Sequence, residues 1–159
     1  MKTSLVKDVY QLHGTASISV REEIPLEDII SRFANEPGIR GAFLIDKEQR
    51  FAGMISRLAI MKWAEFQLFG KWKNGIPASG VADLVGSVQA KRLARGDWHS
   101  LGVKEYDTLE KAFQQMMGFG EDIIPVLDDD GRIIGDLRLS EVLLKVIEVG
   151  KQVREDKQG

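Results

Sequence analysis

The 159-residue chain contains no cysteine, which excludes disulfides, thiolate catalysis and cysteine-ligated zinc. Histidine is nearly absent too. His13 and His99 are the only two, and a metal site built on them would need carboxylate partners that the sequence does not supply. No apolar run approaches the ~20 residues of a membrane span. The first residues, MKTSLVKDVYQLHGT, lack the apolar core of a signal peptide. The expectation is therefore a cytoplasmic protein without a membrane partner. Positive charge is in short supply: 22 Lys and Arg stand against 24 Asp and Glu, for a net charge of −2. Such a chain presents no basic field that would attract nucleic acid. The local cluster Lys91-Arg92-Leu-Ala-Arg95, close to Trp98 and His99, has the ingredients of single-strand binding. With no base-reading motif beside it, it reads as a solvated or phosphate-facing loop. Asp128-Asp129-Asp130 lacks calcium-loop spacing, and no Ser/His/Asp set or phosphate-binding glycine loop is present, so no enzymatic activity is expected. What remains is 43% hydrophobic and 29% charged, enough apolar surface to offset the entropy of folding. The length suits one compact domain or two small units sharing a core.

The chain repeats itself. Val20-Arg-Glu-Glu-Ile-Pro-Leu-Glu-Asp-Ile-Ile-Ser-Arg-Phe33 lies over Val103-Lys-Glu-Tyr-Asp-Thr-Leu-Glu-Lys-Ala-Phe-Gln-Gln-Met116. Further along, Asp46, Arg50 and Gly53 fall over Asp128, Arg132 and Gly135, so the copies are 82–83 residues apart. A weaker echo sets Val6-Lys-Asp-Val9 against Val81-Ala-Asp-Leu84. Three blocks in the same order define a repeat, and a repeat decides the architecture.

Each copy follows one grammar. A strand reaching Val20 or Val103 precedes a helix opening at Pro25 or Thr108. Proline fits a first helical turn, where its missing N–H costs nothing, and Asp107 with Glu110 three residues on reads as a capping box. Leu26, Ile29, Ile30 and Phe33 recur at helical spacing, as do Leu109, Ala112, Phe113, Met116 and Met117. Apolar strands over 42–45 and 123–127 then meet polar turns; Asp130-Gly131 is a strong hairpin signal. Return strands cover 51–55 and 133–137. Second helices run from Arg57 to about Lys73 and from Leu139 to about Val153. The order β-α-β-β-α occurs twice, which is an α+β arrangement with a sheet face for helices to cover. The domains expected are 1–73 as a first unit with an extended last helix, 74–102 as a connector, and 103–153 as a second unit, with 154–159 as a tail. Helical spacing past Leu58, Met61, Glu65 and Leu68, with Trp63, Phe66 and Trp72 elsewhere, suits either a dimer interface or a local cap, before Asn74–Gly80 breaks the helix.

The second copy contains Ile-Ile-Pro-Val-Leu-Asp-Asp-Asp-Gly-Arg-Ile-Ile-Gly-Asp-Leu at 123–137, and the first contains Arg-Gly-Ala-Phe-Leu-Ile-Asp-Lys-Glu-Gln-Arg-Phe-Ala-Gly-Met-Ile-Ser at 40–56. Over nearly its whole length, from about Val6 to Val149, the chain resembles a tandem CBS-domain pair, or Bateman module. The resemblance implies two units related by a pseudo-two-fold axis, with adenosine-type ligands held in clefts between them. It also implies a homodimer formed through helices, and a regulated protein partner whose identity the sequence does not give. AMP, ADP, ATP or S-adenosylmethionine are the candidate ligands, none of them a required cofactor. In such relatives the main chain before the hairpin, here Arg40-Gly41-Ala42 and Asp122-Ile123-Ile124, lines an adenine slot.

Nucleotide-binding relatives also carry Gly-x-x-Thr/Ser-x-x-Asp where the last strand enters the last helix. There the helix N-terminus favours phosphate, and the carboxylate accepts from the ribose hydroxyls. The first copy reads Gly53-Met-Ile-Ser56-Arg57-Leu-Ala59: the hydroxyl remains, Arg57 adds a cation, and Ala59 replaces the carboxylate. The second reads Gly135-Asp-Leu-Arg138-Leu-Ser140-Glu141, which assigns Arg138 to a phosphate and Glu141 to a ribose. Each residue has an ordinary alternative. Arg57 and Arg138 suit solvated surface positions, Ser56 suits a plain N-cap, Glu141 suits any helix start, and Ile123 and Ile124 suit a sheet core. Two expectations follow: a regulatory sensor of an adenine nucleotide or adenosyl ligand, or a ligand-free dimeric interaction scaffold with degenerate sites.

Overall fold

The computed structural model describes residues 3–10, 16–70, 89–94 and 96–158. It contains two three-stranded sheets of identical topology. In the first, β1 (Ser17–Arg21) runs parallel to β2 (Gly41–Ile45), which pairs antiparallel with β3 (Phe51–Ser56). In the second, β4 (Val103–Lys104) is parallel to β5 (Ile123–Leu127), and β5 is antiparallel to β6 (Ile133–Arg138). The helices are α1 (Leu26–Asn35), α2 (Arg57–Glu65), α3 (Leu109–Phe119) and α4 (Leu139–Gln158). The α+β reading and the twofold β-α-β-β-α order therefore hold.

The helix starts differ from expectation by one residue. Pro25 is not inside the first turn of α1 but caps it, with extended φ −61° and ψ 142°. At α3 the cap is Thr108, whose hydroxyl oxygen accepts from the Lys111 N–H at 3.1 Å. The expected Asp107–Glu110 box does not form, because the Asp107 carboxylate closes the preceding turn by accepting from the Lys104 N–H at 2.8 Å. The second helix of the first copy also stops short of the expected Lys73: α2 ends at Glu65 and gives way to a π-helical turn, Phe66–Gly70. Its counterpart α4 runs past Val153 to Gln158. Trp72, the break at 74–80 and the 81–84 echo lie outside the described residues, as do His13 and Arg95.

The hairpins explain the letters that the copies share. Asp46 Oδ1 accepts from the N–H groups of Glu48 and Arg50, both at 2.9 Å. Asp128 Oδ1 does the same for Asp130 and Arg132, again at 2.9 Å. Each turn needs one left-handed residue: Gly131 at φ 83° in the second copy and Gln49 at φ 66° in the first. A side chain in that region is strained by roughly 1 kcal/mol or more. Gly131→Ala is therefore expected to lower stability by about 1 kcal/mol, whereas Gln49→Gly should be neutral to slightly stabilising; the two urea midpoints measure both. Both hairpins also shift register at the same place, between Leu44 and Ile45 and between Val126 and Leu127, directly beside the pairs that contain the shared glycines, Leu44–Gly53 and Val126–Gly135.

Packing groups the residues differently from chain order. One compact unit is Thr15–Ser100; the other joins Met1–Gly14 to Leu101–Gly159. A division at 73 and 102 in chain order would leave the N-terminal segment with the first copy. It packs with the second because the Val6 N–H donates to the Asp107 carbonyl and the Lys7 N–H to that of Glu105, both at 2.9 Å. The Leu109 N–H returns to the Ser4 carbonyl, also at 2.9 Å. Val6 itself is fully buried. In the first copy the same job falls to Gln89 and the 3₁₀ turn Ala90–Leu93: Gln89 bridges to Pro25 as Leu5 bridges to Thr108. Ala90 donates to the Ile24 carbonyl at 2.8 Å and sits in a core cluster with Ile29, Ala42, Leu44 and Ile55. The counterpart of Leu5–Asp8 is thus the stretch from Gln89, with Ala90 in the place of Val6, nine residues beyond Val81 of the echo.

In the Met1–Gly14/Leu101–Gly159 unit the core is Val6, Leu101, Val103, Leu109, Ala112, Met116, Ile123, Ile124, Val126, Leu137 and Val142. Phe113 and Met117, which share the helical stripe of α3, are exposed at its edge. With Val146, Val149 and Val153 of α4, Phe113 borders an apolar groove of about 660 Å³.

Candidate functional site

The hairpin register brings the expected site residues together inside each unit. In one, Gly41 faces Ser56 across the β2–β3 ladder and Ala42 faces Ile55. In the other, Ile123 faces Arg138 and Ile124 faces Leu137. The start of the middle strand and the strand-to-helix junction are therefore neighbours by construction. Arg40–Ala42 lie beside Ser56–Arg57, and Asp122–Ile124 lie beside Arg138–Glu141.

In the first junction Gly41, Ala42 and Ser56 are buried, while Arg40 and Arg57 are exposed. Ser56 Oγ accepts from the Ala59 N–H at 3.2 Å, which makes Ser56 the N-cap of α2. Arg40 donates its N–H to the Ala16 carbonyl at 2.7 Å, which pins the chain just before β2. The junction combines a helix N-terminus, a hydroxyl already used as a cap, and two cations.

The second junction is built differently. Ile123 and Ile124 are fully buried, and the Asp122 carbonyl accepts from the Leu139 N–H at 2.8 Å. Arg138 is 17% exposed and Glu141 10% exposed by side chain. Glu141 Oε1 accepts from the Arg138 backbone N–H at 3.0 Å and from its Nε at 3.3 Å. This is the reach-back half of a capping box, with Glu141 in the third helical position. The same Nε lies 3.6 Å from Asp136 Oδ1. Burial raises the Glu141 carboxyl above the usual carboxylate range, while the Arg138 backbone N–H and charge oppose that rise.

Asp136 is the residue that the sequence reading missed. It is completely buried on β6, two positions before Arg138 and on the same face of the strand. A lone carboxylate within the apolar run Ile133–Leu137, with an arginine two residues later, was the available signal. Elsewhere, Lys91 and Arg92 are exposed on the 3₁₀ turn, while Trp98 packs edge-on against Phe51 with centroids 5.6 Å apart and stacks on His99 at 3.7 Å. Among the described residues, no group of three or more His, Asp or Glu is placed to hold a metal. No described helix is long and apolar enough to cross a membrane.

A sequence model of the CBS domain matches residues 6–65 and again 99–148. Among solved structures, a CBS domain-containing protein from Thermotoga maritima aligns with a TM-score of 0.72 at 26% identity, over 93% of this chain and 97% of that one. CBSX2, solved in complex with AMP, aligns at TM-score 0.66 and 17% identity, over 92% and 98% of the two chains. The CBS domain pair of protein MJ0100, solved with 5′-methylthioadenosine and S-adenosyl-L-methionine, aligns at 0.63 and 15%, over 94% and 99%. No curated protein matches the chain.

Proposed function

The chain belongs to the CBS-domain family as a tandem pair, and from that premise we propose that it is a regulatory module whose strand-to-helix junctions hold an adenosyl ligand. The reading assigns it no reaction of its own. The observation that carries it is the adjacency set by register. In both units the backbone at 40–42 or 122–124 stands next to the polar junction at 56–57 or 138–141. A planar base would lie against the first of these, and a ribose or phosphate would meet the second. AMP in CBSX2, and 5′-methylthioadenosine with S-adenosylmethionine in the MJ0100 pair, set the chemical class. We further propose a homodimer, with exposed apolar side chains on α2 (Leu58, Met61) and on α3 and α4 (Met117, Leu143, Val146) as the surfaces available to it.

The test is a melting-temperature panel of AMP, ADP, ATP, S-adenosylmethionine and 5′-methylthioadenosine. A ligand at 100 times its Kd adds ~2.7 kcal/mol, which for a chain of this size is several degrees. No shift with any of them rejects the sensor reading. One feature favours the alternative of a ligand-free scaffold: Arg138 and Glu141 already bond to each other, and Ser56 already caps its own helix. These polar groups therefore have partners without a ligand.

A further inference from the structure

The match to the CBS model ends at residue 148, but α4 runs on without a break to Gln158. Its 20 residues against the nine of α2 give it a length of about 30 Å, roughly twice that of α2. The apolar positions Leu139, Val142, Val146, Val149 and Val153 follow one another in steps of three and four, the spacing of a helix-pairing seam. Val142 is buried in the unit's own core, whereas Val146 is 59% and Val153 40% exposed. From Val146 onward the stripe therefore leaves that core. It lines the groove of about 660 Å³ that α3 also borders through Leu109 and Phe113.

Gly150 lines the same groove. Glycine is the poorest helix former after proline, so its place inside α4 needs a reason. Packing within the chain supplies none: a Cβ added at Gly150 would meet nothing within 4 Å beyond its own helix. What a glycine does offer is room for a second backbone to come close, because side chains at a crossing set the separation of two helices.

Resting on the homodimer proposed above, we infer that this groove receives α4 of a second copy, the two helices crossing at Gly150. A twofold dimer sets one patch against itself, so that patch must hold both a ridge and a groove, and charges of both signs. The exposed stripe of α4 is the ridge. Lys145 is already paired with Glu148 at 3.3 Å. Glu110 of α3, on the groove, and Arg154 of α4, whose Nε donates to the Gly150 carbonyl at 3.4 Å, have no ion-pair partner among the described residues. The second copy brings an arginine for the one and a glutamate for the other, which fixes the register of the pair. Leu58 and Met61 of α2 take no part in this contact.

Sedimentation velocity of the full chain over a concentration series tests this. The wild type should dimerise. Val146→Glu or Val153→Glu, each at an exposed position, should raise the dimer Kd at least about tenfold by burying an unpaired charge. Leu58→Glu, also exposed but on α2, should leave it within about twofold. Gly150→Ala should move two readouts in opposite directions. Its melting temperature, taken below the dimer Kd, should rise by about 1–4 °C, because alanine favours the helix. Its dimer Kd should rise at least about fivefold, because the new methyl holds the helices apart. Melting curves establish that every variant folds. A dimer that survives both glutamates on α4, is lost in Leu58→Glu, or is not weakened by Gly150→Ala overturns the α4 seam while the homodimer stands. A wild type that remains monomeric at every concentration overturns both and leaves the adenosyl-ligand reading in place.

Discussion

Arg138→Ala should destabilise the fold by about 3–5 kcal/mol at neutral pH, because it removes the guanidinium that lies 3.6 Å from the buried Asp136 and 3.3 Å from Glu141. Asp136 is wholly buried, and the Glu141 side chain is 10% exposed. The loss should depend on pH in a defined direction. Burial already holds the Glu141 carboxyl above its ordinary range, with the Arg138 N–H and guanidinium pulling it down. A carboxyl whose folded pKa lies above the unfolded one binds its proton more tightly when folded. Its stabilising contribution is present in acid and disappears as pH rises through the folded value. Alanine removes the guanidinium's part of the downward pull, so the deficit relative to wild type should be small near pH 4 and grow toward neutrality. Urea unfolding at those two pH values measures it. An equal deficit at both would show that the guanidinium does not compensate the carboxylates. Replacing the whole cluster with Asp136→Leu, Arg138→Met and Glu141→Gln should recover most of the loss, since apolar substitution of a complete buried ion cluster is often neutral.

Deleting residues 1–10 should cost the Met1–Gly14/Leu101–Gly159 unit about 4 kcal/mol, although the deletion lies far in sequence from its sheet. Burial of a valine side chain such as Val6 contributes roughly 1.5–3 kcal/mol. The backbone bonds to Asp107, Glu105 and Ser4 add about 1 kcal/mol each before the entropy of ordering the segment is subtracted. The segment is also clipped from the side. Tyr10 donates its hydroxyl to Glu105, and Lys7 lies over the Tyr106 ring at 4.8 Å. Burial and Glu105 push the Tyr10 hydroxyl from 10.0 up to about 12, so this clip holds below pH 10 and is lost between there and about pH 12. Circular dichroism during urea unfolding, with and without a peptide of residues 1–14 added back, gives the result. A deletion variant with an unchanged midpoint would show that the segment adds nothing.

The regular elements were legible because they rest on local patterns. Apolar runs ended by an aspartate turn gave β2 with β3 and β5 with β6 almost to the residue, since Asp46 and Asp128 hold their turns through bonds no more than four residues long. What depends on distant partners was not legible. Thr108 and Asp107 are both good capping residues, and only the turn back to Lys104 decides that the threonine caps α3. Letters alone match Val6–Val9 to Val81–Leu84, yet backbone bonds to Asp107 and Ile24 make Gln89 and Ala90 the structural counterparts of Leu5 and Val6. At the junctions, the sequence placed Arg138 and Glu141 side by side but assigned them to a ligand. In the structure they bond directly to each other, and the same arginine also meets Asp136, the carboxylate buried within the apolar run Ile133–Leu137.

The exchanged N-terminal segment has a consequence for the order in which the molecule can be completed during synthesis. Its first residues emerge from the ribosome long before Glu105, 95 positions after Tyr10, exists to receive them. Thr15–Ser100 contains all of its own strands and can close while translation continues. The other unit must wait for the last helix, with one of its pieces tethered and exposed in the meantime. Closing so long a loop is slow relative to local pairing. A vectorial hierarchy, early half first and late half second, is therefore written into the connectivity.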